Sequence, residues 1–476
     1  MARRAKLVCT LGPATSDYPA VLALVRAGMD VARLNMSHGD HDAHRRAYEM
    51  VRRASDETGH AVGVLADLQG PKVRLGRFAH GPVTWEPGDR VVLTGREVEG
   101  TADLVSCTYA GLAGDVAPGM RLLVADGAVA LRVVEVDGPD VVTEVVDGGV
   151  VSDGKGVNLP GVPVSLPALT EDDEADLRFA LTLRVDLVAL SFVRRAADVE
   201  PVRKVLAECD APDLPVLAKL EKPEAVDHLR EVVEAFDGIM VARGDLGVEM
   251  AVEQVPLVQK RAVQLARELA RPVIVATQVL ESMIVNPRPT RAEVSDAANA
   301  VLDGADALML SGETAVGQHT AEAVRVLDRV CATTEEHGLE RVPALAEPPR
   351  TRGGAIASAA VEVAENLPGV LGIVVFTQTG STMRRVARMR PRVPMLAFTP
   401  EPGVRSRLAL TWGVETFLAP VVDTTDEMVR VVERQLLDLG RARRGDTVVI
   451  IAGFPVGRPG YTNAMRVHRL GDLVGR

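Results

Sequence analysis

Aromatic residues are scarce in this 476-residue chain. Phe, Trp and Tyr make up 3% of it, so a core must be built from Val, Leu, Ala, Ile and Met. Cysteine is rarer still: Cys9, Cys107, Cys209 and Cys331 stand far apart with no C-x-x-C pair. That excludes a disulfide framework and a cysteine zinc site, and it points to reduced, buried thiols. No apolar run approaches the roughly 18 residues of a membrane span. The stretch after Met1-Ala2-Arg3-Arg4 runs into Gly12-Pro13 too soon for a signal segment, so a cytoplasmic location is expected. Basic residues do not dominate either. Asp plus Glu number 65 against 54 Lys plus Arg, a net charge of −11, which excludes sequence-independent nucleic-acid binding. The chain has no G-x-x-x-x-G-K-[ST], no G-x-G-x-x-G after a strand, no H-E-x-x-H and no G-x-S-x-G. H-R-D and D-F-G are missing too, which excludes a protein kinase. Any phosphate must therefore be met by metal, Arg and Lys rather than by a phosphate loop.

What is present is an ordinary globular composition, 47% hydrophobic and 25% charged. Its length suggests about three domains. Short apolar runs recur at Lys6–Thr10, Asp30–Asn35 and Ala61–Ala66. They return at Val185–Leu190, Pro215–Leu220, Gly238–Val241, Pro272–Ala276 and Ala305–Leu310. Helical patterns lie between them, such as Val255–Ala270. Eight continuous apolar strands alternating with amphipathic helices predict a (β/α)₈ barrel, residues 1–70 and 168–343. The interruption, residues 71–167, is rich in Val, Gly and Asp. Its turns Asp126-Gly127, Asp137-Gly138, Asp147-Gly148 and Asp153-Gly154 predict hairpins and an all-β module inserted after strand three. Residues 344–476 predict a separate α/β domain with strands at Gly372–Phe376, Val393–Phe398, Val414–Ala419 and Thr447–Ala452, joined by a linker at Ala344–Arg352.

In such a barrel, chemistry collects where the strands end. The predicted strand ends carry Arg33, Asn35, Ser37 and His38; Asp67; Lys219 and Glu221; Arg243, Gly244 and Asp245; and Thr277. Six ionisable groups (Arg33, Asp67, Lys219, Glu221, Arg243, Asp245) are thus expected on one rim. Glu221 and Asp245 suit Mg²⁺ or Mn²⁺, which takes one or two carboxylates and completes its shell with water and substrate oxygens. A rim salt bridge with Lys219 or Arg243 accounts for them equally well. Thr290 and Glu293 form a capping box and carry no chemistry.

The strand ends resemble those of pyruvate kinase. The matching stretches are KLVCTLGP (Lys6–Pro13), GMDVARLNMSHG (Gly28–Gly39), ADLQGPKVR (Ala66–Arg74), KGVNLPG (Lys155–Gly161), KLEKP (Lys219–Pro223), GIMVARGDLG (Gly238–Gly247), VATQVLESMI (Val275–Ile284) and MLSGET (Met309–Thr314). The texture is similar to that of bacterial, actinobacterial-like members. The resemblance implies transfer of a phosphoryl group from phosphoenolpyruvate to ADP, giving pyruvate and ATP. It implies that Glu221 and Asp245 hold Mg²⁺, that Lys219 stabilises the phosphoryl group and that Arg33 binds the phosphate. Gly244, Asp245 and Thr277 would hold the pyruvate moiety, with enolate protonation near Thr277. Asn35, His38, Arg74 and Lys155 would meet the nucleotide, and the insert would be a β-barrel lid closing over the barrel mouth. A homotetramer is the family's usual assembly.

The chain also departs from the family. Asn35, Ser37 and Asp67 keep the family's K⁺ site, but Leu68 and Lys72 replace the Thr and Glu that many K⁺-requiring members carry. The Lys72 ammonium is expected to stand in for K⁺. The C-terminal domain carries the family's effector site, here Thr377, Thr379, Gly380, Ser381 and Thr382 in a turn before a helix at Met383–Met389. Bisphosphate-activated members often have basic residues where this chain has Gln378 and Ser381, so AMP or a sugar monophosphate is the expected small phosphorylated effector. Two alternatives remain. One is a metal-dependent lyase or aldolase on a related barrel, opposed by the insert and the Arg33–His38 turn. The other is a non-catalytic paralogue, opposed by Lys219, Glu221, Asp245 and Thr277 together.

Overall fold

The computed structural model describes residues 3–162, 165–346, 348–454 and 460–472. Glu347 of the expected linker, two residues near the end of the expected insert and both chain ends lie outside them. Eight strands close into one parallel barrel. They are β1 (Lys6–Thr10), β2 (Val31–Asn35), β3 (Gly63–Asp67), β4 (Leu187–Leu190), β5 (Val216–Leu220), β6 (Gly238–Ala242), β7 (Val273–Ala276) and β8 (Ala307–Leu310). Each pairs with its neighbours in order, and β8 pairs with β1. Val8, Val31, Leu65, Leu217, Met240 and Ile274 fill the interior. Ala409 and Leu410 of the C-terminal domain plug it from the end where the strands begin. Helices packed outside bury the other face of each strand, which is why these segments are apolar throughout rather than alternating.

At that base, an aspartate stands one residue before every even-numbered strand. Asp30, Asp186, Asp237 and Asp306 each accept a backbone N–H from the start of the preceding odd strand, namely Leu7 (2.8 Å), Val64 (2.8 Å), Val216 (3.0 Å) and Val273 (3.0 Å). Each also pairs with an arginine: Arg3, Arg52, Arg203 and Arg390, respectively. This ring pins the strand register where no chemistry occurs.

All strands of the insert fall between β3 and β4. A six-stranded sheet carries most of its core, with a two-stranded ribbon of Val83–Trp85 and Gly149–Val151 beside it. Isolated bridges Arg74↔Gly156 and Leu75↔Cys107 tie the 74–75 segment to both ends of that sheet. Two of the four Asp-Gly turns behave as hairpins: the Asp137-Gly138 turn joins Val129–Asp137 to Asp140–Asp147, and the Asp126-Gly127 turn joins Arg121–Val124 to Val129–Asp137. The other two do not. At Asp147-Gly148 the chain leaves the sheet for the ribbon. A Cβ on Gly148 would come 2.5 Å from the Trp85 carbonyl, so glycine is required there by close backbone approach. Asp153-Gly154 is a turn whose carboxylate accepts from Phe78 N (2.8 Å).

The C-terminal domain holds a five-stranded sheet in the order Val414–Leu418, Met395–Thr399, Val370–Phe376, Thr447–Gly453, Thr462–Arg469. The last strand is antiparallel and was not expected. It is an edge strand with exposed Arg466 and Arg469, so it lacks an apolar signature. The expected helix at Met383–Met389 begins earlier, at Ser381–Ala387, capped by Gly380 in a left-handed conformation (φ 77°).

Candidate active site

The C-terminal ends of the strands bring most of the expected residues to one mouth. Arg33 Nε donates to Asp67 Oδ2 at 2.6 Å, and its Nη1 to the Thr10 hydroxyl at 3.1 Å. Lys219 Nζ lies 2.8 Å from Glu221 Oε1 and 3.3 Å from Asp67 Oδ1, and donates to Ser191 Oγ at 2.8 Å. The Ser191 hydroxyl in turn donates to Leu68 O (2.6 Å). Phe192 N holds the second oxygen of Glu221 at 2.7 Å. Across the mouth, Gly244 N donates to Thr277 Oγ1 at 2.7 Å, and that hydroxyl donates to Ala276 O at 2.6 Å.

Two strand ends store backbone strain. Phe192 (φ 54°), Thr277 (φ 65°) and Gln278 (φ 53°) occupy the left-handed region that non-glycine residues avoid. Gly70, where the chain turns up into the insert, also has positive φ (74°), and a Cβ there would meet Ser191 and Phe192 at 2.8 Å.

The charges are not independent. Asp67 is fully buried. Burial opposes its ionisation, but Lys219 and Arg33 outweigh that and hold its carboxyl below the usual range. Burial likewise works against the Lys219 cation, and the Asp67 and Glu221 carboxylates overcome it and keep the ammonium charged. Glu221 goes the other way. Burial pushes it up and the neighbouring Asp245 charge adds to that push, against the pull of Lys219. Two oxygen-donor carboxylates, one of them buried and raised by the other, fit a hard divalent cation. Among the described residues no group of three or more His, Cys, Asp or Glu side chains is placed to hold a metal ion, so such an ion would complete its shell with water and substrate oxygens.

Not every expected residue joins this cluster. Arg243 turns away from the mouth. Its guanidinium bonds Asp296 (2.6 Å) and the Thr277 carbonyl (2.8 Å), so it braces the outside of β6 and β7. The expected rim of six is therefore five. Arg74 Nη1 donates to Gly154 O (3.0 Å), and Leu75 N bonds Lys155 O (2.8 Å), so Arg74 and Lys155 are neighbours in the insert. The His38 ring is exposed. Partial burial and the charges of Arg74, Lys72 and Arg33 press its pKa down. Asn35 accepts weakly from Ser37 N (3.4 Å) and pairs in register with Asp67. A cleft of about 630 Å³ separates insert from barrel, lined by Lys72, Asp126 and Asn158 on one side and Lys222, Asp245 and Glu249 on the other. A second, of about 600 Å³, lies in the C-terminal domain against Thr377, Thr379, Ser381, Thr382 and Thr462.

Sequence reasoning placed Ser191 at the end of strand four without giving it a role, and missed Thr10, Lys222 and Glu249. Thr10 ends a strand, and that position was its one available signal. Glu249 had none, since its partner Asn158 is 91 residues away.

A closed parallel barrel whose mouth holds a buried ammonium, an arginine and two cation-suited carboxylates is the architecture of a barrel enzyme acting on an anionic substrate. A family profile for the pyruvate kinase barrel domain matches residues 2–324, and one for the pyruvate kinase alpha/beta domain matches residues 354–468. The chain is 58% identical over 472 residues to the pyruvate kinase of Mycobacterium intracellulare and 57% identical to that of Corynebacterium efficiens, covering 99% of each chain. It is similar in structure to a crystallised pyruvate kinase from Cryptosporidium parvum: TM-score 0.90, 34% identity, 98% of this chain and 96% of that one covered. The chain belongs to the pyruvate kinase family and is a phosphotransferase, which sets aside the lyase and aldolase alternative.

Proposed function

We propose that this enzyme transfers the phosphoryl group of phosphoenolpyruvate to ADP, and that the observation carrying this reading is Lys219 held between Asp67 and Glu221 at the barrel mouth. Glu221 and Asp245 would hold Mg²⁺ (or Mn²⁺), which when bound neutralises substrate carboxylate and phosphate charge. Arg33, preoriented by Asp67 and Thr10, binds the phosphate. Lys219 keeps its proton because two carboxylates face it, and it neutralises the phosphoryl group during transfer. The P–O bond to the enol breaks as ADP oxygen bonds phosphorus. The hydrogen-bonded Gly244–Thr277 pair would lie against the pyruvate moiety, with the enolate taking its proton on the Thr277 side. His38, Asn35, Arg74 and Lys155 meet the nucleotide, and the insert closes to exclude water, which would otherwise compete for the phosphoryl group. A coupled assay for ADP-dependent pyruvate formation tests the reading, and an inactive parent enzyme overturns it.

The finer points belong to the same proposal. Lys72 replaces the monovalent cation, supported by its place in the cleft between insert and barrel. Asn35, Ser37 and Asp67 would be the remains of the K⁺ site, with Asp67 already occupied by Arg33 and Lys219. AMP or a sugar monophosphate fits the hydroxyl-lined C-terminal cleft. A homotetramer is supported by exposed Val252 and Leu257 on the barrel and by the open edge strand Thr462–Arg469. No helix among the described residues is long and apolar enough to cross a membrane, and a cytoplasmic location accords with the glycolytic reaction. The proposed division is 1–70 with 168–343, 71–167 and 344–476, supported by the separate grouping of the barrel, insert and C-terminal strands.

A further inference from the structure

Glu249 ends the short helix Arg243–Glu249 and is 4% exposed, yet the chemistry above does not use it. Its Oε1 accepts from Lys222 Nζ at 2.8 Å and from Asn158 Nδ2 at 2.9 Å. Its Oε2 is buried with no hydrogen-bond partner among the described residues. The three residues come from three separate pieces of the molecule. Asn158 lies in the last strand of the insert, Val157–Asn158. Lys222 directly follows Glu221 at the end of β5. Glu249 closes the helix whose first turn carries Gly244 and Asp245. The nearby contact at the insert's Asp126-Gly127 turn is apolar and looser: a Cβ on Gly127 would sit 4.0 Å from Val248. Among the described residues, the directional tie between insert and helix is Asn158 to Glu249. Lifting the insert removes one donor from a carboxylate that is already short of partners. A buried charge in that condition favours the state in which the donor returns.

We propose that Glu249 is a positioning residue that, through Asn158 and Lys222, registers the docked insert against the Glu221 and Asp245 pair. The metal-suited carboxylates then hold their working spacing only with the lid down. This rests on the phosphoenolpyruvate:ADP reading, and it goes further by tying lid position to carboxylate placement.

The test follows ATP and pyruvate separately at saturating and limiting substrate. Asn158→Ala is expected to raise KM for both substrates about fivefold or more. It should also lower the ATP-to-pyruvate ratio below one, because water then takes the phosphoryl group and releases inorganic phosphate with the enolate. Asn158→Asp places a carboxylate against Glu249 and should cost about a hundredfold in kcat, the scale of a small misplacement. Adding Glu249→Gln to Asn158→Asp restores a donor–acceptor pair and should recover at least about tenfold, a non-additivity that a simple packing defect does not give. If Glu249→Gln alone does not accumulate as folded protein, Asn158→Ala decides by itself. Parent KM values and a product ratio of one in Asn158→Ala overturn the proposal, as does a double variant no better than Asn158→Asp. A parent that makes no ATP from phosphoenolpyruvate and ADP instead overturns the underlying reading.

Discussion

The two ends of the barrel are built from the same residue types and do opposite things. At the base, Asp30, Asp186, Asp237 and Asp306 each face an arginine and a backbone N–H, although burial still pushes the Asp186 carboxyl up against the pull of Arg52. At the mouth, Asp67, Glu221 and Asp245 share one ammonium and one arginine, and Glu221 is pushed up by burial and by its acidic neighbour. Left-handed backbone does not separate the two ends: Phe192, Thr277 and Gln278 hold it at the mouth, and Arg184, Ala270 and Arg390 hold it at the base. A carboxylate with all its partners fixes strand register. A carboxylate short of positive charge is available to a cation and a substrate. The base carboxylates are tied to backbone and arginine, and the mouth carboxylates are the ones left facing a cleft.

Breaking the mouth should leave the fold intact. Asp245→Asn is expected to cost at least about a hundredfold in transfer rate, near 2.7 kcal/mol. The metal-free protein should melt no earlier than the parent, because the substitution relieves repulsion with Glu221. A coupled assay and calorimetry in chelator read the two quantities, and an early melt combined with full activity contradicts the contrast.

Breaking the base should do the reverse. Asp30 is buried against Arg3 and Lys6. Although burial raises its pKa, those charges win and hold it far below the usual value. Asp30→Asn should lose on the order of 3 kcal/mol of stability, seen as a lower denaturation midpoint, with kcat at 25 °C changed by less than about twofold. The pH dependence follows in sign. The folded pKa lies below the unfolded one, so the Asp30 contribution is complete above the ordinary value near 4 and fades as pH falls toward the folded value. Parent and variant stabilities should therefore converge in acid, and a gap that persists there contradicts the assignment.

The smallest expected effect is ionic. Assayed in Tris or Na⁺ buffer, added KCl should change the rate by less than about twofold if Lys72 supplies the charge. A many-fold collapse without K⁺ returns that role to the cation.

Much of the mouth was legible because barrel chemistry sits at strand ends, and continuous apolar runs locate those ends within a residue or two. Arg33, Asp67, Lys219, Glu221, Asp245 and Thr277 were found that way. Arg243 was misjudged because a strand end does not reveal which way a side chain turns, and Asp296 draws it outward. The base ring went unread although its signal was present, an Asp immediately before each even strand. Two Asp-Gly pairs were misread as hairpins: Asp147-Gly148 carries the chain from the sheet into the ribbon without a turn, and Asp153-Gly154 turns without pairing the strands on either side. The edge strand Thr462–Arg469 and the Asn158–Glu249 bond depend on partners distant in sequence, which periodicity cannot detect.

Lys219→Met tests the central claim most directly. It removes the ammonium while keeping a side chain of similar length. Phosphoryl transfer from phosphoenolpyruvate to ADP should fall by about a thousandfold or more, while titration calorimetry still detects phosphoenolpyruvate binding through Arg33. A variant that transfers at near-parental rate would contradict the account.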